Sequence, residues 1–264
     1  HQIYAGFCAF TKWRPKQYRK TITMLRQRLV VVEQQMCARK WDGITFSRVP
    51  SHAMKIYSKS FAKHAPAEFT AYLEAVKSGK EKINATTLYP YDLVHTCYSP
   101  TADLQWKALP NYIQGGKSIL PVVDVSGSMD QSIGGGSGVS CAHVAIPLGL
   151  YCAERQKSAF HDHLMTFESK PKFHLLTGDT LQKRVQEVKH SASDMGSTNL
   201  QAVFSLLLAK AVKAGLAQED MPDVVLILSD MEFDRCGNDT NAEAIRAQYA
   251  QAGYQLPLLA WWNI

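Results

Sequence analysis

The stretch that decides the fold is residues 118–130, which read S-I-L-P-V-V-D-V-S-G-S-M-D. Its apolar part, 119–123, is short and rich in β-branched residues, which is typical of a strand buried on both faces. The run ends at Asp124, and Ser126 and Ser128 follow at two-residue spacing. In open α/β sheets, ligands bind at the carboxyl ends of the strands. The stretch therefore predicts a central strand that brings one carboxylate and two hydroxyls to a ligand-binding edge.

These side chains predict a metal site. Oxygen ligands suit a hard cation such as Mg²⁺, which prefers six of them. Three oxygens do not complete that shell, so further ligands are expected later in the chain. A polar loop at 196–199 offers the hydroxyl of Thr198, and a second buried-strand pattern at 224–229 ends at Asp230. We predict that Mg²⁺, or Mn²⁺ or Ca²⁺ in its place, is held by Asp124, Ser126, Ser128, Thr198 and Asp230.

The predicted ligands have different roles. Ser126 and Ser128 would bind the ion directly and Thr198 would join them in some states, whereas Asp124 and Asp230 would hold metal-bound waters and orient the hydroxyls. The alternative is a Ser/Asp turn that only caps the next helix; it does not account for the two later ligands. Further acidic residues near these loops could add charge or simply be solvated: Asp130, Asp194, Glu232 and Asp234.

Periodicity divides the chain into a helical and a mixed part. Residues 1–98 show helix after helix without a convincing strand, including one continuous helix predicted from Lys16 to Arg39. Residues 99–116, with two prolines and Gly115-Gly116, are predicted to be a linker. In 117–264 strands and helices alternate, which predicts an α/β domain with a doubly wound, mostly parallel sheet.

The order Asp-x-Ser-x-Ser, loop Thr and strand-end Asp resembles the metal-ion-dependent adhesion site of von Willebrand factor A (vWA) domains. The resemblance implies a vWA/Rossmann-like fold in the second part of the chain. It also implies a non-enzymatic binding protein, because the cation in such domains typically takes a Glu or Asp from a protein partner. The domain would lack its last elements, since the sequence ends soon after Trp261-Trp262.

Charge is distributed unevenly along the chain. Residues 1–115 contain 17 Lys and Arg against 7 Asp and Glu, a net +10, whereas 116–264 carry a net −4. A basic helical part is a candidate surface for RNA or another polyanion. The alternative is an ordinary solvated helical surface. The candidate residues are Arg19, Lys20, Arg26, Arg28, Lys55, Lys59 and Lys63.

A basic helical part followed by a vWA domain is similar in layout to the Ro autoantigen family (TROVE plus vWA), which implies binding of structured RNA. About 115 helical residues are too few for a full Ro ring, so a partial module of a longer chain is expected. The segment 41–91 and the phrase at 227–234, I-L-S-D-M-E-F-D, look closer to an uncharacterised family of viruses and plants. A third alternative is therefore a structural component of a viral assembly.

Other classes of function find no support in the sequence. There is no Gly-x-Ser-x-Gly elbow, P-loop or H-E-x-x-H motif, so we expect no enzyme. The six cysteines form no C-x-x-C pair, which favours a reducing compartment over a disulfide frame or a zinc site. No apolar run approaches the ~20 residues of a membrane span. We therefore expect a cytoplasmic or virion-associated protein with no membrane partner.

Overall fold

The computed structural model describes residues 13–113, 116–133, 138–156, 158–168, 170–191, 199–230 and 240–264. Thr198, Asp194, Glu232 and Asp234 lie outside these ranges. The chain forms two compact units, residues 1–84 and residues 85–264.

The described part of the first unit is helical and is built around aromatic rings. Phe46 lies at the centre, with its ring centroid 5.3 Å from that of Phe61, 5.1 Å from that of Phe69 and 5.6 Å from that of Tyr72. All four side chains are buried, so this small unit obtains its core from a few large residues. Its helices are α1 (Pro15–Leu29), α2 (Val32–Cys37), α3 (Ser51–His64) and α4 (Pro66–Lys77), with 3₁₀ turns at Trp41–Gly43 and Phe46–Arg48.

The continuous helix predicted from Lys16 to Arg39 is wrong. Helix α1 ends at Leu29 because Val30 adopts the left-handed conformation, with φ 48° and ψ 52°. A β-branched residue rarely takes that conformation, so the sequence gives no Gly or Asn signal for the break. The chain then restarts as the short helix α2.

The second unit contains the sheet. Its elements in chain order are α5 (Pro90–Val94), α6 (Ala102–Lys107), β1 (Ile119–Asp124), α7 (Cys141–Arg155), β2 (His163–Phe167), β3 (Phe173–Leu175), α8 (Leu181–Ser191), α9 (Leu200–Ala214), β4 (Val224–Ser229), α10 (Thr240–Gln251) and β5 (Leu258–Asn263).

The five strands lie in the order β3-β2-β1-β4-β5, and only β3 is antiparallel to its neighbour. This confirms the predicted α/β class and the mostly parallel sheet. The chain goes from β1 to β2 and β3 on one side and then returns to β4 on the other side. The order therefore reverses between β1 and β4, which creates a crevice outside their carboxyl ends.

Helices cover both faces of the sheet. On one face, Leu150 of α7 and Val185 of α8 belong to the same apolar cluster as Leu164 of β2. On the other, Leu207 of α9 and Ile245 of α10 pack in a cluster with strand residues. Helix α7 packs so closely on β1 that a Cβ added at Gly149 would fall 2.3 Å from Val123 Cγ2. This packing fixes the start of α7 beside the turn that leaves β1.

The division into units differs from the predicted boundaries. Residues 99–116, predicted as a linker, contain α6, whose Trp106 is 3% exposed and belongs to the core of the second unit. Its indole Nε1 donates to Glu154 Oε2 over 2.6 Å. An apolar ring with one polar atom needs both a core and a partner, and α7 supplies both.

Among the helices that the structure describes, none has the length and apolarity needed to cross a bilayer.

Candidate functional site

Asp124 lies where the reversal in strand order predicts a ligand. It is the last residue of β1, and Ser229 is the last residue of the adjacent strand β4. The Ser229 hydroxyl donates to Asp124 Oδ2 over 2.6 Å, and the Ser126 backbone N–H donates to Oδ1 over 2.9 Å. Asp124 is 1% exposed, so both carboxylate oxygens are held in fixed positions behind the turn.

Burial raises the pKa of the Asp124 carboxyl above its ordinary value. Hydrogen bonds from Ser229 and Ser126 oppose that rise, and the charge of Asp230 adds to it. An ionised carboxylate in this position is therefore costly unless a positive charge lies nearby. A bound cation would supply that charge.

Ser126 and Ser128 present their hydroxyls together. Ser126 precedes the 3₁₀ turn Gly127–Asp130, and its Oγ lies 3.1 Å from Ser128 Oγ. Met129 is 1% exposed and anchors the turn in the core. One hydrogen bond between two hydroxyls leaves lone pairs on both oxygens, so the pair can serve as two neighbouring ligands of a hard cation.

The remaining predicted ligands are only partly described. Asp230 follows β4 directly, is half-buried and is close enough to influence the pKa of Asp124. Thr198 lies outside the described residues; its neighbour Asn199 caps α9 by accepting from the Ala202 N–H over 3.0 Å. The described structure thus brings four of the five predicted ligands to the ends of β1 and β4.

The donor set fits Mg²⁺ in chemical type, because every candidate ligand is an oxygen. Within the described ranges, no group of three or more His, Cys, Asp or Glu side chains could hold a metal. A cation at this edge would therefore depend on the serine hydroxyls.

Ser229 is a site residue that the sequence does not indicate. It lies at the end of an apolar run, where a serine indicates nothing by itself, and it is 105 residues from Asp124 in the chain. The useful signal is its position just before Asp230: in a parallel pair in which one strand ends in Asp and the other is followed directly by Asp, the last residue of the second strand can lie beside the Asp of the first.

A cleft of about 340 Å³ opens beside the serine turn, and we call it the carboxyl-edge cleft. Ser126 and Asp130 line one wall, and the start of α7 lines another, including His143. Lys189, near the end of α8, completes the lining. His143 and Lys189 cannot be predicted from the sequence as lining residues, because only the packing of α7 and α8 on the same face of the sheet brings them to the cleft.

The basic residues of the first unit lie on two helices. Lys55, Lys59 and Lys63 follow each other at four-residue spacing on α3, so they share one stripe; Lys55 is half-buried and the other two are exposed. The basic candidates on α1 are all exposed: Arg19, Lys20, Arg26 and Arg28.

Comparison with known proteins gives the family. Residues 118–264, which begin just before β1 and include all five strands, match the family described as Domain of unknown function (DUF7788). The chain belongs to this family. Residues 10–119 match a second family, described as Domain of unknown function (DUF2828). The DUF7788 match starts close to the predicted boundary at residue 117, although the compact units divide after Asn84.

The DUF7788 chain has a viral relative. It is 32% identical over 274 residues to "Uncharacterized protein L728" of Acanthamoeba polyphaga mimivirus, an alignment that covers 95% of this chain and 46% of the viral protein. The chain therefore spans less than half of the length of this relative.

Proposed function

We propose that the second unit is a vWA-like, Mg²⁺-dependent binding module that captures an acidic group of a protein partner without catalysing a reaction. The single observation that carries this lies where the strand order reverses between β1 and β4. There Asp124 is buried and accepts a hydrogen bond from Ser229 of the neighbouring strand, next to the paired hydroxyls of Ser126 and Ser128. Bound Mg²⁺ would act as the electrophile that attracts a carboxylate oxygen.

The order of the strands supports the proposed vWA/Rossmann-like fold. The strand order 3-2-1-4-5 is the order of doubly wound sheets whose ligands bind at the reversal. The hydroxyl ligands are neutral, so they would leave most of the cation's charge available to a partner. Asp124 and Asp230 would balance part of that charge from behind. Location in the cytoplasm or in a virion belongs to the same proposal.

The test is capture of a partner from native lysate with Mg²⁺ and with chelator, by wild type and by Asp124→Ala. We expect one acidic partner to be retained only by the wild type with Mg²⁺, and mass spectrometry to identify it. Lys183→Met is a control, because Lys183 is exposed and pairs with Asp179 over 2.8 Å. Retention of the same partner at equal affinity in chelator and by Asp124→Ala would contradict the proposal.

A second candidate function is RNA binding by the first unit, favoured by the Lys stripe on α3 and the exposed basic residues of α1. Phosphate contacts release counterions, so the logarithm of RNA affinity should fall linearly with the logarithm of salt concentration. The triple variant Lys55/Lys59/Lys63→Met should flatten that slope. Lys77→Met is a matched control, because Lys77 pairs with Glu74 over 2.6 Å. An absence of RNA binding at low salt would contradict this candidate.

A structural role in a viral assembly is the remaining candidate, and it has the mimivirus relative in its favour.

A further inference from the structure

Lys189 differs from the other lysine of its helix. Lys183 of α8 pairs with Asp179 over 2.8 Å, whereas within the described ranges Lys189 pairs with no carboxylate. Lys189 is exposed and lines the carboxyl-edge cleft. Its charge acts on neighbouring groups: it adds to the lowering of the His143 pKa that burial causes, and it opposes the rise that burial causes in the pKa of Cys97. A lysine ammonium in a concave surface is suited to an anionic ligand group.

His143 adds a hydrogen-bond donor to the same cleft. The Ser140 backbone N–H donates to His143 Nδ1 over 3.1 Å, so in the neutral ring the proton is on Nε2. Burial lowers the pKa of His143, and the neighbouring Lys189 and His95 add to the decrease, whereas the charge of Asp130 opposes it. The ring is therefore neutral at physiological pH, and its Nε2–H is a hydrogen-bond donor.

One carboxylate opposes an anion in this cleft. Asp130 is the acidic residue among the described lining residues, and it is exposed at the end of the serine turn. Its charge is on the wall that carries Ser126, whereas Lys189 and His143 come from the helices. The helix side is thus the favourable side for a negative group.

We propose that Lys189 and His143 form a second subsite, which binds a carboxylate of the partner next to the carboxylate that the cation takes. The choice of ligand rests on the function proposed above. A cleft of about 340 Å³ lies within the range of small-ligand sites and has room for an acidic side chain. The partner segment is therefore an acidic peptide with at least two carboxylates close together, and Lys189 determines this preference.

The experiment uses the whole chain and the peptide acetyl-Glu-Glu-Glu-amide, with acetyl-Gln-Gln-Gln-amide as the uncharged match. Binding is followed by NMR through the ring signals of His143, in Mg²⁺ and in chelator. In chelator we expect the acidic peptide to shift the His143 signals and the Gln peptide to leave them unchanged. Lys189→Met should weaken the binding of the acidic peptide by up to about fivefold, the upper limit for an exposed ion pair.

Two further variants test the direction of the charge effect and provide a control. Asp130→Asn should strengthen the binding of the acidic peptide in chelator, because it removes the opposing charge. Lys183→Met should leave the affinity unchanged, because Lys183 lies on the same helix outside the cleft lining. Equal affinity of wild type, Lys189→Met and Asp130→Asn would overturn the subsite. If these variants behave as expected but Mg²⁺ adds no affinity, the subsite stands and the cation-dependent function fails.

Discussion

The two edges of the sheet carry clefts of nearly equal size that differ in how their polar groups are used. The carboxyl-edge cleft has about 340 Å³ and contains Lys189 without a carboxylate partner among the described residues. An amino-edge cleft of about 350 Å³ is lined by Lys117, Ser118, Arg155 and Gln156, among other residues. Volume alone would rank them equally.

At the amino edge the polar groups bind each other. Gln156 Oε1 accepts from the Ile119 N–H over 3.0 Å and from the Ser158 hydroxyl over 3.1 Å, and Gln156 Nε2 donates to the Phe160 carbonyl over 2.7 Å. Arg155 donates to the Trp106 carbonyl over 2.6 Å and lies over the Tyr151 ring. These groups stabilise the start of β1 and the end of α7. At the carboxyl edge, by contrast, Lys189 has no carboxylate partner among the described residues, and the Ser126 and Ser128 hydroxyls, which bond each other, keep further lone pairs for a ligand.

The largest expected effect separates the two edges by metal affinity. Asp124→Ala should weaken Mg²⁺ binding about 100-fold, because the residue that orients the ligands is lost. Gln156→Leu, at the amino edge, should leave Mg²⁺ affinity unchanged. Isothermal titration with MgCl₂ measures both, and equal losses in the two variants would remove the distinction between the edges.

The next effect is a loss of stability, and it is expected from a change at the amino edge. Gln156 is 2% exposed, and Gln156→Leu leaves the Ile119 N–H and the Phe160 carbonyl without their partner. We expect the free energy of unfolding to fall by about 1–3 kcal/mol, the cost of unsatisfied buried groups. Urea denaturation measures it, with Ser158→Ala as a milder control. An unchanged midpoint would mean that the amino-edge hydrogen bonds are not structural.

A smaller effect is a pH dependence at the carboxyl edge. Since burial raises the folded pKa of Asp124 above its unfolded value, the associated stability is fully present below the unfolded value of about 3.9 and is lost as the pH rises through the folded pKa. In chelator, wild type should therefore lose stability relative to Asp124→Asn over that interval, and Mg²⁺ should reduce the loss. Denaturation curves between pH 3.5 and 7, about the range of a raised Asp pKa, test this; a constant difference between the two proteins would be the contrary result.

The smallest effect concerns Lys117, which lines the amino-edge cleft as Lys189 lines the carboxyl-edge cleft. Lys117 is exposed. Lys117→Met should change neither the unfolding free energy beyond about 0.5 kcal/mol nor the affinity for acetyl-Glu-Glu-Glu-amide. A loss of peptide affinity as large as that in Lys189→Met would show that a positive charge outside the carboxyl-edge cleft is sufficient to bind the peptide.

What the sequence could predict follows the range of each interaction. The strands that end at Asp124 and Ser229 are visible because a buried strand is a local apolar run. The hydrogen bond between those two residues is not visible, because it depends on β1 and β4 being neighbours. His143 and Lys189 likewise meet only through the packing of helices. The break at Val30 is unpredictable for a different reason, since a valine in the left-handed conformation contradicts its own local preference.

A crystal structure of the protein grown with MnCl₂, with anomalous scattering used to locate the ion, tests the proposed cation site itself. We expect a single strong peak at the carboxyl ends of β1 and β4, about 2.1 Å from the Oγ atoms of Ser126 and Ser128, with Asp124 behind it. An absence of density there at saturating Mn²⁺, or a peak confined to another part of the chain, would contradict it.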